Sequence, residues 1–237
     1  MLLALDTSTR YGSVALSEEG VVVASRTWRS RYNHTSELMP AVAGLLEAYG
    51  LTAGQLDGVA VALGPGGFSA LRVGISAAKG LVLVAKKPLV GVGTLDLEAF
   101  HYLQSGVPVC ALLEAGREEC ATALYGPDGS RLREDRVCTA DELLAEVMDI
   151  TSSPTIFCGE GVTGWRDQIA GLLGTKAQIL PPVPAARVWA LAAVGWKKLA
   201  SGEISDTADL QPEYLRMPSI GVPKQRDRVG QAGRRGR

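Results

Sequence analysis

Three short stretches carry residues whose types and spacing could do chemistry. Asp6-Thr7-Ser8-Thr9 sets one carboxylate beside three hydroxyls, directly after an apolar run at residues 2–5. A turn of this kind exposes backbone N–H groups to an anion, and Asp6 could hold a metal ion through water. The same four residues also make an ordinary turn bonded by its own side chains, and residue types alone do not separate the two readings. Gly64-Pro65-Gly66-Gly67-Phe68-Ser69 joins a second apolar run to a helical pattern, the general arrangement of an anion site at a helix start. It lacks the lysine of a P-loop and the spacing of a dinucleotide fingerprint. His34 and Glu37 stand at i, i+3, a spacing that could share a metal, but the only other histidine, His101, lies in a different segment. His34 reads better as a helix-start or interface residue. No Ser/His/Asp order, Cys/His pair or His-Glu-x-x-His motif is present. Asp6, Thr7, Ser8, Thr9, Gly64, Gly66 and Gly67 are therefore the candidate nucleotide-binding residues, and no catalytic or metal-ligating set is assigned.

The elements that must position these residues follow from periodicity. Residues 2–5, 13–16 and 21–26 read as strands, and Leu38, Val42, Leu45, Leu46 and Tyr49 fall on one face of a helix closed by Gly50. Pro40 is placed in that helix's first turn, where its missing N–H has no partner to lose. Residues 58–63 form a buried strand, a helix runs over 68–86, and 89–92 is another strand. Within that helix Ala70, Gly74, Ala77, Ala78 and Leu81 form a stripe of mostly small side chains. Each interior glycine costs about 1 kcal/mol relative to alanine, so close approach by another element is expected, either this lobe's own sheet or a partner's helix.

A second pass begins near Val107. Residues 107–113, 120–125 and 132–138 read as strands, Thr139 and Glu142 form a capping box for a helix to about Met148, and strand and helix then alternate through 155–158, 162–173, 177–180 and 185–200. The βββαβα order appears twice, predicting an α/β protein of two lobes, 1–104 and 105–216, with 94–103 as a linking helix. Residues 217–237 form a tail whose last stretch holds Lys224, Arg226, Arg228, Arg234, Arg235 and Arg237 against Asp227. It reads as a disordered, solvated terminus or as a weak electrostatic tether to RNA.

A chain of 237 residues, 46% hydrophobic, can bury a sizeable core, and a net charge of −1 gives no global attraction to nucleic acid or to anionic membrane. The four cysteines, Cys110, Cys120, Cys138 and Cys158, have no Cys-x-x-Cys spacing and sit among apolar neighbours, as buried reduced thiols do. The apolar start meets Asp6 too early for a signal peptide, and no run approaches the roughly 18 apolar residues of a membrane span. A cytoplasmic location is expected.

The ordered segments Leu3-Ala4-Leu5-Asp6-Thr7-Ser8-Thr9, Asn33-His34-Thr35-Ser36-Glu37-Leu38-Met39-Pro40, Gly64-Pro65-Gly66-Gly67-Phe68-Ser69-Ala70-Leu71-Arg72-Val73-Gly74 and Ala78-Lys79-Gly80-Leu81 resemble the bacterial TsaB (YeaZ) family. Gln211-Pro212-Glu213-Tyr214-Leu215-Arg216 is similar to that family's C-terminal signature, whereas Glu114-Ala115-Gly116-Arg117 departs from its usual Asp-Ala-Arg. The resemblance implies an actin-like (ASKHA) fold of two lobes. It also implies a non-catalytic role in forming threonylcarbamoyladenosine beside the tRNA anticodon, as partner of the transferase TsaD and, in a ternary complex, of the ATPase TsaE. TsaD-like proteins carry paired histidines where this chain has Gly93-Thr94-Leu95-Asp96, so the resemblance implies no metal centre here. It further implies that Leu38, Val42, Leu45 and Tyr49, with Ala70, Gly74, Ala77, Ala78 and Leu81, contribute to a four-helix interface with TsaD. ATP or ADP with Mg at that interface, a homodimer of the free chain, and an ATP-binding enzyme or nucleotide sensor of the same superfamily stay open as alternatives.

Overall fold

The computed structural model describes residues 1–31 and 33–216. The first lobe is a five-stranded sheet in the order β3-β2-β1-β4-β5. Its strands are β1 (Leu2–Asp6), β2 (Tyr11–Glu18), β3 (Val21–Arg29), β4 (Gly58–Gly64) and β5 (Leu89–Gly93). β1, β2 and β3 pair antiparallel as a meander, whereas β4 and β5 join in parallel, each reached through a helix: α1 (His34–Ala48) before β4 and α2 (Phe68–Ala85) before β5. β1 and β4 are buried along their whole length and read accordingly as apolar runs, as strands covered on both faces must.

The second lobe repeats the plan. β6 (Val109–Gly116), β7 (Glu119–Tyr125), β8 (Arg136–Thr139), β9 (Thr155–Cys158) and β10 (Ala177–Ile179) take the order β8-β7-β6-β9-β10. The parallel and antiparallel pairings are the same as in the first lobe, with α4 (Ala140–Ile150) and α5 (Val162–Leu173) as crossovers. The expected duplication is thus present in full. The capping box opens α4, Thr139 Oγ1 accepting from the Glu142 amide while Glu142 Oε2 accepts from the Thr139 amide at 2.9 Å. β8 is shorter than the run 132–138 suggested, because Arg131 is drawn into ion pairs with Asp96 and Asp135 and holds the preceding residues in a turn.

Two helices break the simple division at residue 104. α3 (Thr94–Ala99) follows β5 but packs Leu95 and Ala99 against Val109, Ala111 and Ala123 of the second sheet. α6 (Pro184–Ala200) follows β10 but returns to the first lobe, where Leu191 and Ala192 pack on Leu2, Ala4, Ala60 and Ala62. Gly195 permits that approach, since a Cβ there would lie 2.6 Å from the Ala60 Cβ. Each lobe's last helix therefore covers the other lobe's sheet, and residues 184–214 belong spatially to the first lobe. The strap after α6 runs beside β5, with the Ser205 amide on the Leu89 carbonyl, then along α2, with Lys79 Nζ on the Ala208 carbonyl. It ends in a bidentate pair of Arg216 with Glu119 of the second lobe.

α1 begins at His34, so Pro40 sits in the helix interior and not in its first turn; it lies on the exposed side, where the carbonyl left without an amide faces water. α2, with 18 residues and a mean hydropathy of 1.5, meets the length and composition of a spanning helix despite Arg72 and Lys79, contrary to the expectation from sequence. It packs Leu71, Ile75, Ala78 and Val82 onto its own lobe. The basic stretch from Lys224 lies outside the described residues.

Candidate functional site

A cleft of about 1250 Å³ opens between the lobes, lined by Ser8–Arg10 with Gly66 and Gly67 on one side and Leu113, Glu114 and Glu160 on the other. Two glycine turns form its floor, one from each lobe at equivalent places in the duplication. In the first, Gly64 has φ +117°, and a Cβ there would come 2.6 Å from the Glu213 carbonyl oxygen. A Cβ on Gly66 would overlap the Ser8 carbonyl, which instead accepts from the Gly67 amide at 2.8 Å. In the second, Gly159 has φ +96° and would overlap the Leu112 carbonyl, which accepts from the Gly161 amide at 2.9 Å. Both turns thus dock a βα junction onto a carbonyl of its own lobe, Ser8 just beyond β1 or Leu112 within β6, and small residues are required there for that close approach.

Asp6 and Thr9 are brought together, but around a cation of the chain itself. Arg187, in the first turn of α6 and 1% exposed, donates Nε to Asp6 Oδ2 at 2.8 Å, Nη2 to Thr9 Oγ1 at 2.7 Å, and Nη1 to Glu98 at 2.8 Å and Glu160 at 2.5 Å. The other Asp6 oxygen accepts from the Ser8 amide and hydroxyl. With both oxygens occupied and no exposure, Asp6 has no edge left for a hydrated metal. Three carboxylates converge on one guanidinium, and burial pushes the Glu98 carboxyl above the ordinary range. Arg10 adds a second cation at the rim, 2.9 Å from Glu114 and 3.8 Å from Glu160.

Thr7 lies beneath α2, its hydroxyl donating to the Ala70 carbonyl at 2.6 Å. His34 donates Nε2 to the Thr9 carbonyl at 3.0 Å, while Glu37 accepts from the Trp28 indole, so the i, i+3 pair is divided between separate structural bonds. Among the described residues no three His, Cys, Asp or Glu side chains converge to hold a metal ion.

The residues expected at a helical interface divide into two groups. Leu38, Val42 and Ala78 are core residues of the first lobe, and Gly74 faces Thr7, where a Cβ would overlap the hydroxyl. Leu45, Ala70, Ala77 and Leu81 are half-buried, and Tyr49 is exposed with its hydroxyl on the Val23 carbonyl. The exposed side of α2 is Arg72, Ser76, Gly80, Leu83 and Val84, with half-buried Val73 and Ala77 packed on the core beside it; Leu83 is 68% and Val84 87% exposed, and among the described residues nothing lies within 4 Å of where a Gly80 Cβ would stand. The small stripe read from sequence was thus rotated toward the core: Gly74 answers to the chain's own sheet, Gly80 to open space.

The family model for tRNA N6-adenosine threonylcarbamoyltransferase (TsaD) matches residues 23–158. The tRNA threonylcarbamoyladenosine biosynthesis protein TsaB of Escherichia coli is 30% identical over 91% of this chain and 94% of its own length, and that of Bacillus subtilis is similar to the same degree. The chain belongs to the TsaB (YeaZ) family. A YeaZ structure from Pseudomonas aeruginosa superimposes with a TM-score of 0.70 at 26% identity, covering 90% of this chain and 99% of that one. The ethanolamine utilization protein EutJ of Carboxydothermus hydrogenoformans, at 14% identity and a TM-score of 0.54, shares the fold alone. The two lobes are those of the actin-like (ASKHA) class. A tRNA N6-adenosine threonylcarbamoyltransferase from Sorangium cellulosum is 33% identical over 62% of this chain and 49% of its own length.

Sequence reading missed Arg187, Glu98 and Glu160, the residues that fill the base of the cleft. One signal was available: Arg187 is a lone cation on the apolar stripe of α6 that includes Val188 and Leu191.

Proposed function

We propose that this chain is a non-catalytic subunit in the threonylcarbamoylation of tRNA adenosine, and that it docks the TsaD transferase through the outer face of α1 and α2. One observation carries the reading. α2 keeps a glycine in its exposed interior, at about 1 kcal/mol less helix stability than alanine, where the chain itself offers no contact in return. Gly80 and the neighbouring Leu83 and Val84, 68% and 87% exposed, make an apolar patch on α2, and Met39, 42% exposed, and Ala43 are exposed on α1. Such a surface admits another helix at close range. Asp6, sequestered by Arg187 and Ser8, gives no comparable support to a nucleotide enzyme or sensor. TsaE as a third member, with tRNA as the substrate of the assembly, completes the proposal, and the reading requires a cytoplasmic protein.

The test uses Gly80→Leu and Val84→Glu with TsaD of the same organism. Both variants should keep the circular dichroism of the native chain and melt no lower than it does, while losing co-elution with TsaD and support of its transferase rate. Full complex formation by both variants overturns the docking face. Retained activity without complex formation overturns the subunit role.

A further inference from the structure

Lobes on either side of a cleft are commonly drawn together by a ligand whose polar groups bond to both. Here the bonds across the cleft come from the chain. The guanidinium of Arg187 receives Asp6 and Thr9 from the first lobe, Glu160 from the second, and Glu98 from α3, which is packed on the second sheet. Thr9 Oγ1 also donates directly to Glu160 Oε1 at 2.7 Å. None of these groups has slack. Asp6 ends a fully buried strand, Glu160 is held in a turn by the Gly161 amide on Leu112, and Arg187 is carried by a helix seated on the first sheet. Rotating one lobe away from the other would break the Arg187–Glu160 and Thr9–Glu160 bonds together and leave buried charge without partners.

We infer that Arg187 is a ligand-independent lock that fixes the angle between the two lobes, with Glu160 as the contact that spans them. The planar guanidinium is suited to this, since it bonds in several fixed directions at once and lysine does not. The rival clamps are the exposed rim pair of Arg10 with Glu114 and the strap, whose Arg216 reaches Glu119 at the edge of the second lobe.

The experiment places spin labels at Ser76→Cys on α2 and Arg166→Cys on α5, both exposed sites on opposite lobes. The four native thiols are buried and leave the labelling to the introduced ones. Double electron–electron resonance should give one narrow distance distribution for the otherwise native chain, unchanged by Mg-ATP. Glu160→Ala and Arg187→Lys should broaden it and remove hydrogen-exchange protection at Ser8, whose amide is bonded to Asp6, and at Gly161, while Glu119→Ala should leave it narrow. If Glu160→Ala fails to fold, Glu160→Gln, which keeps the volume and loses the charge, is read by the same two measurements. A distribution left narrow in the Glu160 variant, one broadened by Glu119→Ala, or a native distribution that narrows on adding Mg-ATP would each overturn the assignment.

Discussion

The two interior glycines of α2 have identical chemistry and opposite surroundings, so replacing each by alanine should move stability in opposite directions. Relieving a helical glycine is worth about 1 kcal/mol at either site. At Gly80, exposed and with nothing within 4 Å, the new methyl group meets no obstacle and the chain keeps a gain of roughly 0.5–1 kcal/mol. At Gly74 the methyl overlaps the hydroxyl of Thr7, which is 2% exposed and bonded to the Ala70 carbonyl at 2.6 Å. Turning the hydroxyl away forfeits a bond worth about 1 kcal/mol, and overpacking a closed site costs about 1–3 kcal/mol more. Net of the propensity gain, Gly74→Ala should lose roughly 1–3 kcal/mol. For a domain of this size each kcal/mol moves the melting temperature by about 2–4 °C, so the two variants should lie several degrees on either side of the native chain. Urea unfolding with unchanged slopes gives the free energies directly. A Gly74→Ala protein as stable as the native one would refute the packing argument and, with it, the rotation of the stripe.

Two further outcomes follow from titratable groups. Burial holds the Glu98 carboxyl above its ordinary value, so the folded state binds this proton more tightly than the unfolded chain. The stability it contributes is complete below the ordinary glutamate value, about 4.3, and declines as pH rises through the raised one. Glu98→Gln should remove that decline from the stability–pH curve, and an unaltered slope in chemical denaturation at graded pH would contradict the assignment. Burial likewise pushes the cysteine thiols up, Cys120 to about 12, with Cys110 and Cys158 also raised. None of the four should react with a chromogenic disulfide at pH 8 in the folded chain, and all four should react in denaturant. Fast reaction of even one native thiol would show that the second lobe opens.

Strand and helix order was legible because each lobe alternates apolar strands, turn residues and helical stripes whose periods differ sharply. The duplication was legible at the same level. Three things were hidden by being non-local. The exchange of α3 and α6 between lobes leaves no periodic trace, since an apolar stripe does not name the sheet it will cover. Which side of α2 faces outward was hidden because close approach by the lobe's own residues and by a partner's helix ask for the same small side chains. In the fold Gly74 and Ala78 face inward, Gly74 against Thr7, while Gly80 and Val84 face out. The charged cluster joins residues 6, 9, 98, 160 and 187, separated by up to 181 positions, and no spacing rule connects them.

The duplication also permits an argument from difference. The two glycine turns share a plan, each donating the amide just before its helix, Gly67 or Gly161, to a carbonyl of its own lobe, yet the residue before that amide is Gly66 in the first and Glu160 in the second. A carboxylate in a βα turn opposes an incoming phosphate at the place where the loop amides would otherwise favour one. Glu160 is matched instead by Arg187 from within and Arg10 at the rim, so its charge is answered before any ligand arrives. Removing Arg187 alone would leave Asp6, Glu98 and Glu160 facing one another in a buried space, and breaking such a set commonly costs about 3–5 kcal/mol. The second turn therefore presents a carboxylate to the cleft where its Gly161 amide is already spent on Leu112, and what that carboxylate holds is the chain's own cation.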